Sequence, residues 1–294
     1  MAVVSIEHRT VSPCPASAGI AERLWVLRAP DGVGPRVALP DGRGAVVVHL
    51  GAPATWLDPL TRTATEVRAV VRGPRSTPTL VVRPGPVWTV GARLTPAALA
   101  RLGEGAFLVD DARPVGEVLG RAEDVLTAAL RACWAEPEPG ARDDDAGGEP
   151  ALAAARLLEQ ALLGAVRRTV TAERQADLDR LFQVAEQERG LVRPIDLARA
   201  IDRSLACLHQ IFAEEVGLTP SAYLAGVRLS AAVRELGAGD PDADAAQVVA
   251  TLRRYADAGF SPREVERFTG LAPLELRRSV RGLEELLAAG TPVG

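Results

Sequence analysis

Few side chains in this sequence have the types and spacing that catalysis needs. Its histidines and cysteines are scattered along the chain: His8, His49, His209, Cys14, Cys133 and Cys207. The acids Asp110, Asp111 and Glu117 cluster, but no His or Cys accompanies them, so we interpret them as loop and helix-start residues. No C-x-x-C, G-x-S-x-G, Walker or H-E-x-x-H pattern is present. We therefore expect no enzyme activity, no metal and no cofactor.

Hydrogen bonding to DNA is a second kind of chemistry, and its candidates lie near residue 204. Two short helices are predicted there, Pro194–Ile201 and a second one over 204–216, with a tight turn between them. Such a pair forms a helix-turn-helix, whose second helix can enter the major groove of DNA. Gln pairs with adenine, and Ser and His reach phosphates or base edges. The predicted DNA contacts in this unit and on the helix that follows it are Arg203, Ser204, Ala206, His209, Gln210 and Arg228.

The same helix-stop, helix-start pattern, Gly-Leu-x-Pro, recurs about fifty residues later. A capping box beginning at Ser261, with Pro262 at the first helical position, predicts another short helix there. Ser204 to Gly217 spans 13 positions, whereas Ser261 to Gly270 spans only 9. Because base contacts come mainly from the start of such a helix, the second unit is predicted to lose sequence reading. Arg263 and Arg267 remain its candidate DNA contacts.

The charge balance of this region does not favour DNA strongly. From position 180 to 281 there are 14 arginines and 14 acidic residues, so the net charge is zero. DNA-binding domains usually show a basic face, because affinity depends on neutralised phosphates. We therefore expect any DNA affinity to require that the arginines gather on one side.

The organisation of the chain predicts an α+β protein of two unlike parts. Residues 1–135 carry β-type runs between turn signals and are predicted to form a β-rich, barrel- or sandwich-like domain for sensing or dimerisation. The acidic, Gly- and Pro-rich residues 136–150 are predicted to be a linker. Residues 151–294 are predicted to be helical, with the paired helix-turn-helix at about 190–280.

Three side chains of the β-rich half are candidates for a small-molecule pocket, since aromatic-lined concavities bind such ligands. They are Trp25, His49 and Trp88. The alternative is that the tryptophans pack in the core and that His49, on an apolar strand, is a hydrogen-bonded core histidine. Both interpretations remain open from the residues alone.

The segments "LHQIFAEEVGLTPSAYLAGVRL" and "ADAGF…VERFTGLAPLEL" resemble the paired helix-turn-helix region of AraC/XylS-type transcription regulators. The segments "LPDGRGAVVVHLG", "GPRSTP" and "TVGARLTPAALARL" resemble the amino-terminal domain of a bacterial subgroup of that family. The resemblance implies a one-component regulator with a sensor half, a linker and a half that reads promoter DNA. We expect the first domain to sense a small-molecule effector or to mediate dimerisation, and we expect a homodimer to bind double-stranded DNA. The chain departs from the family pattern after "AGF", where about five residues are missing before "SPREVERF".

Two other functions compete with the regulator. The shortened second unit and the neutral charge favour a protein-interaction module that has descended from such a regulator. An enzyme built on the β-rich half is the third possibility, although no set of residues supports a reaction.

The remaining features concern location. No apolar run reaches the roughly 18 residues of a membrane span, and the first residues lack the layout of a signal peptide. Separated cysteines indicate reduced thiols. We therefore expect a cytoplasmic protein that does not enter the membrane.

Overall fold

The first half of the chain forms two antiparallel sheets. The computed structural model describes residues 6–103, 108–134, 148–237 and 244–289. The strands are β1 (Glu7–Val11), β2 (Ala21–Ala29), β3 (Arg36–Ala38), β4 (Ala45–His49), β5 (Ala54–Leu57), β6 (Ala64–Val67), β7 (Ala69–Arg72), β8 (Thr79–Val82), β9 (Val87–Leu94) and β10 (Ala112–Pro114). Sheet A has the order β1-β2-β9-β4-β7-β10, and sheet B has the order β3-β8-β5-β6.

Alternation along the strands gives sheet A two different faces, because successive side chains of a strand point to opposite sides. One face carries Leu24, Val26, Val46, Val48 and Val90, which are buried in the largest core cluster. The other face carries the residues between them and looks toward sheet B. The alternating run at 65–73 has the pattern of a single strand but forms parts of two, since β6 pairs with β5 in sheet B and β7 pairs with β4 in sheet A.

Four helices accompany the sheets: α1 (Ala98–Arg101), α2 (Val115–Leu119), α3 (Glu123–Cys133) and α4 (Gly148–Gly164). Helix α2 ends at Gly120, whose φ of 65° is left-handed, so α2 and α3 are separate helices. Thr95 and Pro96 have the residue types of a helix start, but the Thr95 hydroxyl donates to the carbonyl of Gly19, and α1 begins later.

Helix α4 belongs to the core of the β-rich half. Its residues Ala151, Ala155, Leu158 and Leu162 are buried with the apolar face of sheet A. We therefore propose that the first structural unit extends to about residue 165 and that the linker is not the boundary between the halves. The predicted linker at 136–150 lies outside the described residues up to position 147, and Gly148 begins α4.

The second half is helical, as expected. Its helices are α5 (Ala172–Gln187), α6 (Pro194–Ala200), α7 (Leu205–Glu215), α8 (Pro220–Glu235), α9 (Ala245–Asp257), α10 (Pro262–Thr269) and α11 (Pro273–Ala288). Helices α6 and α7 form the first helix-turn-helix unit, α9 and α10 form the second, and α8 joins them. Helix α7 has 11 residues and α10 has 8, so the predicted shortening of the second unit is confirmed.

The two halves pack closely against each other. Ala97, next to α1, is buried in the core of the first helix-turn-helix unit. Leu57 and Leu80 of sheet B are buried in the core of the second helix-turn-helix unit. Gly282 of α11 lies against Pro59, where an added β-carbon would stand 2.2 Å from the Pro59 carbonyl oxygen. The predicted fold class, a β-rich domain followed by paired helix-turn-helix units, is confirmed.

Within the described ranges, every helix is too short or too polar to cross a bilayer.

Candidate nucleic-acid interface and ligand cavity

The first helix-turn-helix unit is shaped by local signals that the sequence states directly. Asp202 adopts the left-handed φ of 58° that the tight turn between α6 and α7 requires. The hydroxyl of Ser204 then accepts a hydrogen bond of 3.2 Å from the amide of Cys207 and caps α7. Thr219 caps α8 in the same way, with Pro220 at the first helical position. These caps determine where α7 begins and which side chains form its first turn.

Helix α7 buries one face and exposes the other. Leu208, Ile211 and Phe212 are fully buried in the core of the unit. The predicted contact residues Ser204, Ala206, His209 and Gln210 are all exposed, so the leading turn of α7 points toward solvent. The apolar residue Leu205 is 39% exposed, because it also lies on that outward turn.

Arg203 does not stand free at the start of α7. Its guanidinium pairs with the carboxylates of Glu173 and Asp177 on α5, and the contact to Asp177 is 3.4 Å long. Gln210 donates a hydrogen bond of 2.8 Å to Glu214 on the same helix. Two of the predicted base-contacting side chains therefore have acidic partners within the protein.

Arg228 occupies a different environment from the one expected. It is half-buried on α8, where its Nε donates to the carbonyl of Leu224 and its stem packs against Gly190. Burial lowers the pKa of its guanidinium. It therefore lies inside the packing of α8, and not on the exposed surface with the α7 residues.

The second unit repeats the same construction in a shorter form. Ser261 and Glu264 form a reciprocal capping box at the start of α10, and Gly259 provides the left-handed turn before it. Gly270 ends the helix and packs on Ala225 of α8, where an added β-carbon would lie 2.5 Å from the Ala225 Cα. The helix is thus held tightly against α8.

The arginines of the second unit are exposed, and most of them have no carboxylate partner. Arg263 and Arg267 lie one turn apart on the outer side of α10, and neither forms an ion pair within the described residues. Three further arginines are also exposed and form no ion pair within the described residues: Arg254 on α9, and Arg277 and Arg278 on the following helix α11. In the first unit, by contrast, Arg193 and Arg199 are both paired with Asp196. The unpaired positive charge therefore lies on the second unit, which was predicted to read DNA sequence less well than the first.

A cavity of about 900 Å³ lies in the β-rich half, on the face of sheet A that looks toward sheet B. Side chains of α8 and α9 complete its wall, among them Ser230 and Val248. Trp25, one of the predicted ligand-binding residues, lines this cavity. Its indole lies across Gly91, its directly opposite neighbour on β9.

His49 lines a smaller cavity of about 120 Å³ that shares Trp25 with the larger one. Its Nδ1 shares a hydrogen bond of 3.0 Å with the hydroxyl of Thr89, which stands directly opposite on β9. Its Nε2 is buried and has no hydrogen-bond partner within the described residues. Burial, together with the positive charges of Arg83 and Arg68, lowers the pKa of the imidazole to about 3, so the ring is neutral at ordinary pH.

Trp88 is on the other side of sheet A. It packs edge-on against Trp134, with ring centroids 5.7 Å apart, and the guanidinium of Arg28 lies over its ring. The structure therefore brings Trp25 and His49 together at the cavity and places Trp88 in the core beneath α3.

Sequence reasoning missed the arginines that line the cavity. Arg23 alternates with Trp25 and Leu27 on β2, and Arg93 alternates with Gly91 on β9. A charged residue at every second position beside an aromatic one is the available signal, because it indicates a polar strand face. Within the described ranges, no group of three or more His, Cys, Asp or Glu side chains is placed to hold a metal ion.

Comparison with known proteins gives the following matches. No protein-family model and no curated protein matches the chain. Among solved structures, ToxT from Vibrio cholerae O395 is 9% identical, with a TM-score of 0.36, over 92% of this chain and 97% of that one. The AraC-like transcriptional activator CuxR is 14% identical, with a TM-score of 0.29, over 81% and 88%.

A third matching structure is that of wild-type ToxT from Vibrio cholerae strain SCE256 with an unsaturated fatty acid bound. It is 9% identical to this chain, with a TM-score of 0.31, over 93% of this chain and 95% of that one.

Proposed function

We propose that this protein is a transcription regulator of the AraC-like kind, which binds promoter DNA through α7 and a small molecule through its β-rich half. The observation that carries the proposal is the outward leading turn of α7. There Ser204, Ala206, His209 and Gln210 are exposed, while the opposite side of the helix is buried in its own domain. A helix presented in this way can enter the major groove.

The two helix-turn-helix units would make different kinds of contact with DNA. The exposed residues of α7 are mostly uncharged, which suits hydrogen bonding to base edges. The unpaired arginines of the second unit, including Arg263 and Arg267, suit contacts to phosphates, which position a protein on DNA without reading sequence. The zero net charge of the region is therefore compatible with DNA binding, because the unpaired cations are concentrated on one unit.

The ion pairs of Arg203 do not prevent such an interface. Glu173 is 74% exposed at its side chain, so its pair with Arg203 is a surface pair. Exposed pairs are worth only about 0–1 kcal/mol. A phosphate of DNA, with which Arg makes bidentate contacts, can replace Glu173 at little cost.

We propose further that the protein acts as a homodimer. Two copies of α7 about 34 Å apart would match one turn of DNA and thus two half-sites.

A protein-interaction module is the second candidate function, and one surface favours it. Phe260 and Phe268 are 43% and 39% exposed, and their rings lie 5.8 Å apart at the second unit. Neighbouring exposed aromatic side chains are characteristic of binding surfaces for other proteins.

The test is salt-dependent binding to duplex DNA from the region upstream of the protein's own gene, measured by fluorescence anisotropy. We expect Arg267→Ala to lower the slope of log K against log[salt] by about 1, and Gln210→Ala to reduce the preference for that DNA over a scrambled duplex. Arg203→Ala should weaken binding if the arginine exchanges its carboxylates for phosphate. Arg113→Ala, which changes an exposed arginine of β10, is the matched control and should have no effect.

An absence of salt-sensitive binding at low ionic strength would contradict the proposal. Together with a stable complex between this chain and another protein that Phe268→Ala disrupts, it would favour the interaction module.

A further inference from the structure

The large cavity of the β-rich half has an unusual charge. Six of its lining residues are arginines: Arg23, Arg36, Arg72, Arg83, Arg93 and Arg234. Asp41 is the one carboxylate among the described residues that line it. The wall therefore carries a large excess of positive charge.

The protein neutralises only part of this charge. Arg93 pairs with Asp41 at 2.9 Å and with Glu22 at 3.2 Å, and Arg234 lies 3.8 Å from Glu186. These contacts account for two of the six guanidinium groups.

The other four have no carboxylate partner within the described residues. Arg72 donates only to the carbonyls of Arg43 and Gly73, at 3.3 Å each. Arg23, Arg36 and Arg83 form no ion pair there, and both Arg36 Nη1 and Arg83 Nε are buried without a hydrogen-bond partner. Four cations thus surround one cavity without a carboxylate at ion-pair distance in the described residues, and only the longer-range attraction of Asp41 and Glu22 acts on Arg23 and that of Asp41 on Arg72.

Such an arrangement is costly unless an anion enters it. Taking an ion out of water costs several kcal/mol when nothing compensates its charge. Burial lowers the pKa of the guanidinium groups of Arg23 and Arg72. For Arg83, burial and the neighbouring Arg36 together lower the pKa to about 10, which still leaves the group charged at neutral pH. The cations are therefore maintained in a place where their charge is unfavourable.

The remaining residues of the cavity wall indicate that the ligand also has an apolar part. Trp25, Val37, Leu39 and Val81 give the cavity an apolar surface beside the arginines. The smaller cavity adjoins it through Trp25, Arg72 and Arg83 and is also lined by His49, whose buried Nε2 has no hydrogen-bond partner within the described residues. A ligand that lies on Trp25 can thus place a polar group at His49.

We propose that this cavity binds a small organic anion with at least two negative charges, a phosphate ester or a polycarboxylate, whose apolar part lies against Trp25. Guanidinium groups bind both kinds of anion through paired hydrogen bonds. A dianion fits better than a monoanion, because four guanidinium groups have no carboxylate partner within the described residues. The inference rests on the proposed sensing role of the β-rich half and specifies the class of its effector.

The position of the cavity connects this ligand to the helices that follow α7. Ser230 and Arg234 belong to α8, the helix that joins the two units, and Val248 belongs to α9. A bound anion would therefore contact both halves of the molecule at once.

The test uses the full-length protein without DNA and four related probes: phenyl phosphate, phthalate, benzoate and benzyl alcohol. Isothermal titration calorimetry should show saturable binding of phenyl phosphate, phthalate or both, with benzoate at least tenfold weaker and benzyl alcohol weaker still. A comparison of the two dianions decides between a phosphate and a carboxylate ligand. Inorganic phosphate, tested in the same way, should bind more weakly than phenyl phosphate because it lacks the apolar part.

The matched variants are Arg83→Met and Arg180→Met, the second of which removes an exposed arginine of α5. Arg83→Met should weaken binding of the dianion at least tenfold, whereas Arg180→Met should not. Without ligand, Arg83→Met should melt at or above the temperature of the wild type, because an uncompensated buried cation has been removed.

Failure of both dianions to bind, equal affinity for dianion and benzoate, or equal affinity of the two variants would overturn the inference. The result is independent of the proposed DNA binding. A protein that binds the dianion but not DNA contradicts only the proposed regulator function, and a protein that binds DNA but no dianion contradicts only the identity of the effector.

Discussion

The indole of Trp25 lies across Gly91, and a β-carbon added to the glycine would stand 2.1 Å from Trp25 Cζ2. The two residues are directly opposite on β2 and β9. The absence of a side chain on β9 therefore creates the place in which the indole lies flat along the cavity wall.

Replacing Gly91 by Ala tests this relationship. The new methyl group must displace the indole into the cavity, so we expect a loss of about 1–3 kcal/mol in the free energy of unfolding, as for other overpacked sites. The tryptophan emission should shift, and phenyl phosphate should bind more weakly than to the wild type. Urea unfolding and fluorescence titration measure these effects.

Gly164→Ala is the control for that variant, because nothing lies within 4 Å of a β-carbon added at Gly164. It should leave stability unchanged or slightly higher, since Ala favours a helix over Gly by about 1 kcal/mol. Equal stability of Gly91→Ala and the wild type would show that the indole does not depend on the glycine.

Arg43 connects the two halves through a buried ionic contact. It is 5% exposed, with Glu22 of β2 at 2.6 Å and Glu186 of α5 at 2.9 Å. Arg43→Met removes the nearest cation of two partly buried carboxylates and leaves them only Arg93 at 3.2 Å from Glu22 and Arg234 at 3.8 Å from Glu186. We therefore expect a loss of about 2–3 kcal/mol, less than for a fully buried pair. Thermal and urea unfolding measure the change.

The matched control for Arg43 is Arg9→Met, which breaks an exposed pair with Glu7 and should cost no more than about 1 kcal/mol. Similar losses for the two variants would mean that the contact between the halves contributes no special stability.

Glu159 of α4 gives a prediction about pH. Burial alone would raise its pKa, but hydrogen bonds from the Ser17 hydroxyl, from the Cys14 amide at 2.6 Å and from Arg156 at 2.6 Å outweigh burial and lower the pKa below 4.5. A carboxylate whose pKa is lowered by folding stabilises the protein above its unfolded pKa and loses this effect as the pH falls through its folded value. Its contribution is therefore complete above about pH 4.5 and declines below it.

Glu159→Gln should consequently lower the free energy of unfolding by about 1–3 kcal/mol at pH 7, a typical range for hydrogen bonds to a charged group. The difference from the wild type should shrink as the pH falls below 4.5. Glu117→Gln, at an exposed side chain of α2, should show little effect at any pH. A Glu159→Gln difference that stays constant from pH 7 to pH 3 would contradict the assignment.

Comparison of the predicted and observed helices shows where local chemistry is sufficient. The cap predicted at Ser261 is confirmed, and the caps at Ser204 and Thr219 have the same form, because each depends on a hydroxyl and an amide only three residues away. Thr95 looked like the same signal, but its hydroxyl donates to Gly19, 76 residues away. A threonine with the local pattern of a helix cap can thus form its hydrogen bond with a residue distant in sequence, which the local pattern does not predict.

The cavity shows the same limit for function. Trp25 and Trp88 look equivalent in sequence, but the register of β2 and β9 places them on opposite faces of sheet A. Trp88 and Gly91 are three positions apart on β9, so their side chains must lie on opposite faces of the sheet. Which of the two faces meets sheet B, however, depends on how the sheets pack. Residue type alone could therefore suggest a ligand site but could not select its members.

The sequence by itself determined the α+β division, the two helix-turn-helix units, the shorter second unit and the outward side of α7, because caps and apolar spacing act over a few residues. Only the tertiary structure decided that Arg203 meets the carboxylates of α5, that α4 completes the core of the β-rich half and that Arg23, Arg72 and Arg83 meet around one cavity. These contacts join residues far apart in the chain, and their energies depend on distance and burial, which exist only once the sheets and helices have packed together.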